Sequence, residues 1–486
     1  MALTPLHIVP LGCARNDVDS EELAARFADS GFTLVSQPED AEVVVVNTCG
    51  FIDAAKQESI DEIMAASELK EQGKVKTVIA TGCLAERYGS QLADSLPEAD
   101  AVVGFEGYSD IANTVRALLA GGHVDAHVPQ DRRLIPLTPI ESHTRTSPHV
   151  LTPHITEQTL RVSPVGTDHI PLPTPPWLPT RTRLSDSPTA PLKIATGCDR
   201  RCAFCAIPAF RGGLVSRPPE EIIVEAKWLA DQGVRELFLV SENTTSYGKD
   251  RGDLDALPRL LACLSEVDVD WVRLSYLQPA EVKPSLIDAI ASTPKVVPYF
   301  DLPFQHASKT VLKRMRRFGD YDSFLTLLDR IRMAIPNVGV RTNVIVGFPG
   351  EKESDVATLL DFLGEARLDA VGVFAYSDEE GTEGATLDGH LDEEEIAART
   401  SEVSQWADTV TALQAESRIG QDVEILIDGV DEDDTLGRQG ASISLVGHAA
   451  QQGPEDGRTF LRGTPDQRGH IVKAPIVSTE GVDWFL

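Results

Sequence analysis

Three cysteines fall within eight residues, Cys198, Cys202 and Cys205, in the spacing C-x3-C-x2-C directly after a short apolar strand pattern. Thiols this close along the chain cannot be a spaced disulfide framework. Two chemical readings remain, a metal site or a redox pair, and they differ in ligand count. Structural zinc takes four ligands, and no fourth Cys or His stands within ten residues on either side. Iron–sulfur groups are held by thiolates, and one held by only three protein thiolates keeps a metal open for a substrate. The fold around this stretch must therefore present a loop at the end of a strand.

At 486 residues, 42% of them hydrophobic, the chain has room for two to four domains with full cores. It starts without a basic leader and contains no apolar run as long as a membrane span, so a cytoplasmic protein with no membrane partner is expected. Seven cysteines, an odd number, suit a reducing compartment. The formal net charge is -31, and the basic run K-R-M-R-R at 313–317 stands out against it. A protein gripping RNA by its phosphates would carry a basic face. Acidity on this scale reads either as a solubility style or as the signature of a basic partner.

Residues 1–123 alternate strand and helix: strand patterns at 7–10, 42–47 and 77–81, with amphipathic helices at 18–30 and 54–71 between them. That order implies right-handed crossovers and a parallel sheet. Each strand ends in a cysteine beside a glycine, at Cys13, Cys49 and Cys83 next to Gly12, Gly50 and Gly82. The carboxyl ends of parallel strands share one edge, with neighbours about 4.8 Å apart, and ligands bind there. The three thiols are thus expected to converge as a second three-thiolate site. Residues 124–190 turn to Pro, Thr, Ser and His and read as a linker or insertion; the irregular spacing of His127, His143, His149, His154 and His169 argues against a metal site.

Alternation returns over 191–412, with strand patterns at 192–196, 236–240, 271–276, 296–302, 340–346 and 370–376. Six strands with helical crossovers predict an incomplete β/α barrel, whose chemistry sits at the carboxyl ends of its strands. The three-cysteine motif follows the first of them. Cys263, inside a Leu-rich helical pattern, reads as core. Over 413–486 short strands and turns predict a small all-β barrel, and 13 Asp or Glu against 6 Lys or Arg leave it near -7.

The run K-I-A-T-G-C-D-R-R-C-A-F-C-A-I-P at 193–208 resembles the cluster motif of the radical S-adenosylmethionine (SAM) enzymes. Further segments are similar to one branch of that superfamily, the methylthiotransferases: G-C-A-R-N-D-V-D-S-E at 12–21, N-T-C-G-F-I at 47–52, T-G-C-L at 81–84 and V-S-E-N-T-T-S-Y-G at 240–248. D-L-P-F-Q-H-A-S at 301–308, N-V-I-V-G-F-P-G-E at 343–351 and F-A-Y-S-D-E-E-G-T at 374–382 complete the match. The resemblance implies an α/β architecture: a parallel-sheet cluster-binding domain, a partial (β/α)6 radical SAM barrel and a TRAM-like β-domain. It departs in the long insertion and in the loosely matching stretch 447–457.

What the resemblance implies is a division of labour. A [4Fe-4S] cluster on Cys198, Cys202 and Cys205 would bind and reductively cleave SAM; a second on Cys13, Cys49 and Cys83 would hold the sulfur that is methylated and transferred. Ser241 and Glu242 would meet the SAM amino group, and Gly347 and Glu351, after the fifth strand, the adenosine. His306 is either a site residue or a polar residue at a strand end. The V-D-S-E at 18–21, the T-T-S-Y-G at 244–248 and the acidic carboxyl-terminal module favour the subgroup that modifies an aspartate of ribosomal protein S-twelve. A module near -7 should repel tRNA phosphates and attract a basic ribosomal protein, so tRNA is not the expected partner. A reductant such as flavodoxin or ferredoxin is implied. A tRNA adenosine methylthiotransferase is the rival within the family, and a non-catalytic metal protein docking on ribosomes the rival outside it.

Overall fold

The computed structural model describes residues 3–50, 52–132, 181–437, 439–440 and 442–486. His143, His149, His154 and His169 lie outside the described residues, as does most of the linker reading.

The amino-terminal part is a five-stranded parallel sheet in the order Phe32–Leu34, Thr4–Pro10, Val43–Thr48, Thr77–Thr81, Ala101–Val102. The two outer strands, only three and two residues long, were not legible as alternating patterns. The central strand V-V-V-V-N-T is buried at every position, as expected of a parallel strand covered on both faces. Val43 and Val45 pack with Leu6, Leu23 and Phe27 on one side. Val44 and Val46 pack with Ile63, Val78 and Leu84 on the other. Helices Ala14–Asp29, Asp53–Glu71, Gly82–Ser95 and Ile111–Leu119 supply these covers.

Six further strands, Thr189–Lys193, Glu236–Val240, Trp271–Leu274, Tyr299–Asp301, Gly339–Val346 and Ala370–Ala375, form two three-stranded parallel sheets. The sheets meet where Val297 N–H donates to Val272 O and Leu277 N–H to Asp301 O. Helices such as Pro219–Asp231 and Glu353–Ala366 pack outside. The first of these strands starts at Thr189, inside the stretch read as linker, because Thr189 and Pro191 pair with Glu236 and Phe238. Cys263 is another correction: it is exposed, while Leu257, Leu260, Leu261 and Leu264 turn the other face of its helix inward.

The carboxyl-terminal sheet has six strands, in the order Ile471–Pro475, Asp422–Val430, Ile443–Ala449, Thr459–Gly463, Asp483–Phe485, Ser478–Glu480. Its first and last members are joined by Ile476 and Val477 alone, so the sheet curls back on itself around Ile425, Leu445 and Trp484. It caps the amino ends of the barrel strands. Arg273 donates to Ala449 O and Ala450 O, and His448 Nε2 lies 2.5 Å from Glu236. Both cysteine sites lie at the opposite ends of their strands. No described helix is long and apolar enough to cross a membrane.

Candidate functional site

Cys13 precedes helix Ala14–Asp29, Cys49 follows strand Val43–Thr48, and Cys83 is the second residue of helix Gly82–Ser95. Pro10 pairs with Asn47 and Asn47 with Thr81, so the three strands end level. The turns need glycine here. At Gly12, φ +92, an added Cβ would lie 2.8 Å from Cys49 Sγ; at Gly82, φ +91, it would lie 2.4 Å from Asn47 Oδ1. Asparagines lock the edge: Asn47 Nδ2 donates to Asn16 O at 2.9 Å and Ser20 Oγ at 2.7 Å, and Asn16 Nδ2 donates to Leu11 O at 2.7 Å.

The second site is one loop. A short antiparallel ladder, Ala195–Thr196 with Val215–Ser216, pins its two ends. Inside it Cys198 N–H donates to Gly212 O at 3.1 Å and Cys205 N–H to Cys202 O at 3.2 Å, while Arg200 N–H points at Cys198 Sγ from 3.4 Å. Gly384 N–H and Met315 O hold Ala203 from the barrel side.

The two sites adjoin. Cys83 packs with Ala206 and Phe210 of the cysteine loop and with Phe105. Arg211 Nη2 donates to Cys83 Sγ at 3.1 Å and to Asp19 at 3.1 Å. Arg15 Nη1 donates to Ser241 O at 2.9 Å, and its guanidinium stacks 4.8 Å over the Tyr276 ring. Between the two arginines sits Glu242, 1% exposed, with Arg15 Nε at 3.5 Å and Arg211 Nε at 3.7 Å. Neither of its oxygens accepts a hydrogen bond among the described residues. A buried carboxylate without a donor is costly unless a ligand satisfies it.

Tyr276 has φ 54, unusual for a bulky residue, and its N–H is held by Asp301 at 2.8 Å. Ser241 Oγ is spent on the turn, 3.1 Å from Thr244 Oγ1. The Glu351 carboxylate accepts the Gly347 N–H and an Arg399 N–H, each at 3.1 Å, and faces His306 Nε2 at 3.3 Å. His306 Nδ1 accepts from Ala307 and Ser308 N–H at 2.9 Å, which puts the ring proton on Nε2, toward Glu351. Sequence reasoning passed over Arg15, Arg211 and Tyr276. Arg15 stands inside the 12–21 run and Arg211 three residues beyond the 193–208 run, and arginines beside cysteines in so acidic a chain were the available signal.

Two family models match: "Radical SAM superfamily" over residues 192–363 and "Uncharacterized protein family UPF0004" over residues 5–104. A protein of Cutibacterium acnes named ribosomal protein uS12 methylthiotransferase RimO is 53% identical over 485 residues, covering 99% of this chain and 97% of that one. Proteins of the same name from Nocardioides sp. and Streptomyces coelicolor are 54% and 51% identical, over 99% and 98% of this chain and 96% and 95% of theirs. The chain belongs to the RimO family of radical SAM methylthiotransferases. Among solved structures, the radical SAM methyltransferase TsrM of Kitasatospora setae, with cobalamin and a [4Fe-4S] cluster bound, aligns with TM-score 0.52 at 13% identity. That alignment covers 77% of this chain and 75% of TsrM, a likeness of fold alone.

RimO-family enzymes use SAM and two [4Fe-4S] clusters. The donor sets here suit such groups. None of the six thiols is in a disulfide. Burial pushes the Cys83 and Cys198 thiols up to about 11 and Cys205 up to about 12, so an uptake of iron would release their protons. Arg211 beside Cys83 and Arg317 Nη1, 3.8 Å from Cys202 Sγ, supply positive charge where thiolates form. No group of three or more His, Cys, Asp or Glu among the described residues is set to hold a single metal ion.

The V-D-S-E motif also gains a physical role. Asp19 takes Lys193 at 2.7 Å together with Arg211, Glu22 takes Lys193 at 2.9 Å, and Glu21 takes Arg181 at 2.5 Å. These pairs fasten the first helix to the barrel through Lys193 of its first strand, Arg181 ahead of that strand and Arg211 after the cysteine loop.

Proposed function

We propose that this chain adds a methylthio group to the β-carbon of an aspartate in ribosomal protein uS12. The observation that carries the reading is the juxtaposition of two three-thiol sites about one buried carboxylate, Glu242, that lacks a donor. The domains are 1–123 for the first cluster, 124–188 for the insertion, 189–412 for the barrel, whose first strand opens at Thr189, and 413–486 for the β-domain. The catalytic residues are Cys198, Cys202 and Cys205; Cys13, Cys49 and Cys83 hold the other cluster.

When bound, the clusters and SAM supply the electron and the radical needed to break a C–H bond that no side chain could open by acid or base catalysis. The protein's own residues bind and orient. Glu242 would accept the SAM amino group, since among the described residues neither of its oxygens has a hydrogen-bond donor and the cations at ion-pair distance are Arg15 and Arg211, both toward Oε1. Ser241 presents its carbonyl to Arg15 and so sets the strand end that carries Glu242. Gly347 and Glu351 shape the adenosine side: the carboxylate holds the turn through the Gly347 N–H, and the glycine, φ +84, lets that turn pack directly against Ile396, whose side chain lies 2.8 Å from where a Cβ would sit. Phe105 and Phe210 close the space beside Cys83 to water.

The uS12 substrate fits the chain's net charge of -31, which draws in a basic protein and repels RNA phosphates, and a cytoplasmic location belongs to the same reading of a ribosomal-protein substrate. Mass spectrometry of uS12 and of tRNA from cells with and without the gene tests the reading. The expected result is loss of a methylthio addition on one uS12 aspartate. Loss from a tRNA adenosine instead would make this a tRNA enzyme. Holoprotein that forms no 5′-deoxyadenosine with SAM and dithionite would leave only the non-catalytic ribosome-docking protein.

A further inference from the structure

Of the basic run at 313–317, only Arg317 has a role in the chemistry above, beside Cys202, yet the run as a whole lies against the cysteine loop. Ala203 N–H donates to Met315 O at 3.0 Å, and Arg317 reaches from Cys202 Sγ to Pro303 O. Lys313, Arg316 and Arg201 are exposed, the Lys309 side chain is 82% exposed, and Phe318 is 74% exposed. Carboxylates answer some of these charges: Asp388 on Arg314, Glu383 on Arg316 and Asp320 on Lys309. Lys313 and Arg201 have no ion pair among the described residues, so positive charge is left over on the outer side of Cys202.

We propose that this face is the landing site of an acidic one-electron carrier protein of the flavodoxin or ferredoxin class. The inference rests on the reading above, because each reductive cleavage of a sulfonium consumes one electron and the chain's side chains supply none. One electron leaves the reduced carrier, which is oxidised, and enters the group held by Cys198, Cys202 and Cys205, which is reduced. No bond in either protein is made or broken. Charge complementarity selects the place. A chain with net charge -31 repels an acidic carrier over most of its surface, and a local basic patch then fixes both where and how the carrier lands. Phe318, exposed and next in the chain to the basic run, adds an apolar contact to the charged ones, and interfaces combine the two.

The test uses cluster-loaded enzyme carrying Lys309→Glu with Lys313→Glu, and separately Phe318→Ala; none of these side chains touches a cluster cysteine. Formation of 5′-deoxyadenosine is followed with reduced flavodoxin, with reduced ferredoxin and with dithionite, and binding of each carrier is titrated calorimetrically. The expected result is a fall of about tenfold in rate and affinity with at least one carrier, at an unchanged dithionite rate. Which carrier responds identifies the class. The proposal is overturned if the dithionite rate falls equally, if both carriers keep rate and affinity, or if the charge reversal instead weakens binding of an RNA oligonucleotide. Failure of the functional reading is separate, since it would appear as no dithionite-driven cleavage in the unmutated enzyme.

Discussion

The two cysteine sites present the same number of thiols to neighbouring spaces and are built in opposite ways. The barrel site is one loop, clasped by its own backbone and by a ladder of two residues on each side. The amino-terminal site exists only because three strands end level, and the barrel completes its surroundings through Arg211 on Cys83. A loop site survives as long as its loop does. A sheet-edge site depends on the register of a whole sheet and on the docking of a second domain.

That contrast makes unequal demands on substitution. The largest effect is expected from Cys198→Ala, which should abolish 5′-deoxyadenosine formation from SAM. Cys13→Ala should leave part of that cleavage intact while uS12 gains no methylthio group, as read by mass spectrometry. Full methylthiolation by the Cys13 variant would remove the division of labour between the sites. Gly12→Ala comes next, because its Cβ would meet Cys49 Sγ at 2.8 Å from a backbone at φ +92. It should lower iron content by about half, with the barrel cluster's spectroscopic signature intact. A loss of both clusters would show that the two sites load together.

Much of this arrangement was legible in the sequence, and the reason differs from one site to the other. Cys198, Cys202 and Cys205 announce themselves by spacing alone. Cys13, Cys49 and Cys83 are separated by whole helices and become a site only through the topology that the strand patterns implied. Arg15, Arg211 and Tyr276 stayed hidden because their roles lie in contacts between domains, such as Arg15 on Ser241 O, which no local pattern encodes. Thr189 was lost to the linker because a strand that contains Pro191 reads as punctuation until its partner, Glu236–Val240, is in place.

The joint between the sites offers a finer test. Arg15→Gln leaves Glu242 with Arg211 as its remaining cation and unpins Ser241 O. SAM affinity should fall about tenfold, roughly 1.4 kcal/mol, by equilibrium dialysis of the cluster-loaded protein. Glu242→Gln should fall at least as far, and the double variant little further, because both changes act on one contact. Additive losses would separate Arg15 from SAM binding.

The smallest effect lies at the opposite end of the barrel, where no cysteine site depends on the local charges. Burial alone would raise the Glu236 carboxyl, but Arg273 and His448 outweigh it and hold the group at about 2. Burial alone would lower His448, but Glu236 and Asp428 outweigh that and raise it to about 9. The signs then fix the window. The Glu236 contribution to docking of the carboxyl-terminal sheet is present above the ordinary glutamate value and fades as pH falls through about 2. The His448 contribution is full below 6.5 and fades as pH rises through about 9. Thermal unfolding of the loaded enzyme should therefore come at lower temperature at about pH 9.5 than at about pH 6. His448→Gln should flatten that difference and cost on the order of 1–3 kcal/mol, because Glu236 keeps Arg273 as a partner. SAM cleavage at neutral pH should change little, since the cysteine loop follows the far ends of the same strands. An alkaline decline of equal size in the variant would assign it to another group, and a fall in cleavage to match the stability loss would mean that the barrel transmits strain from one end to the other.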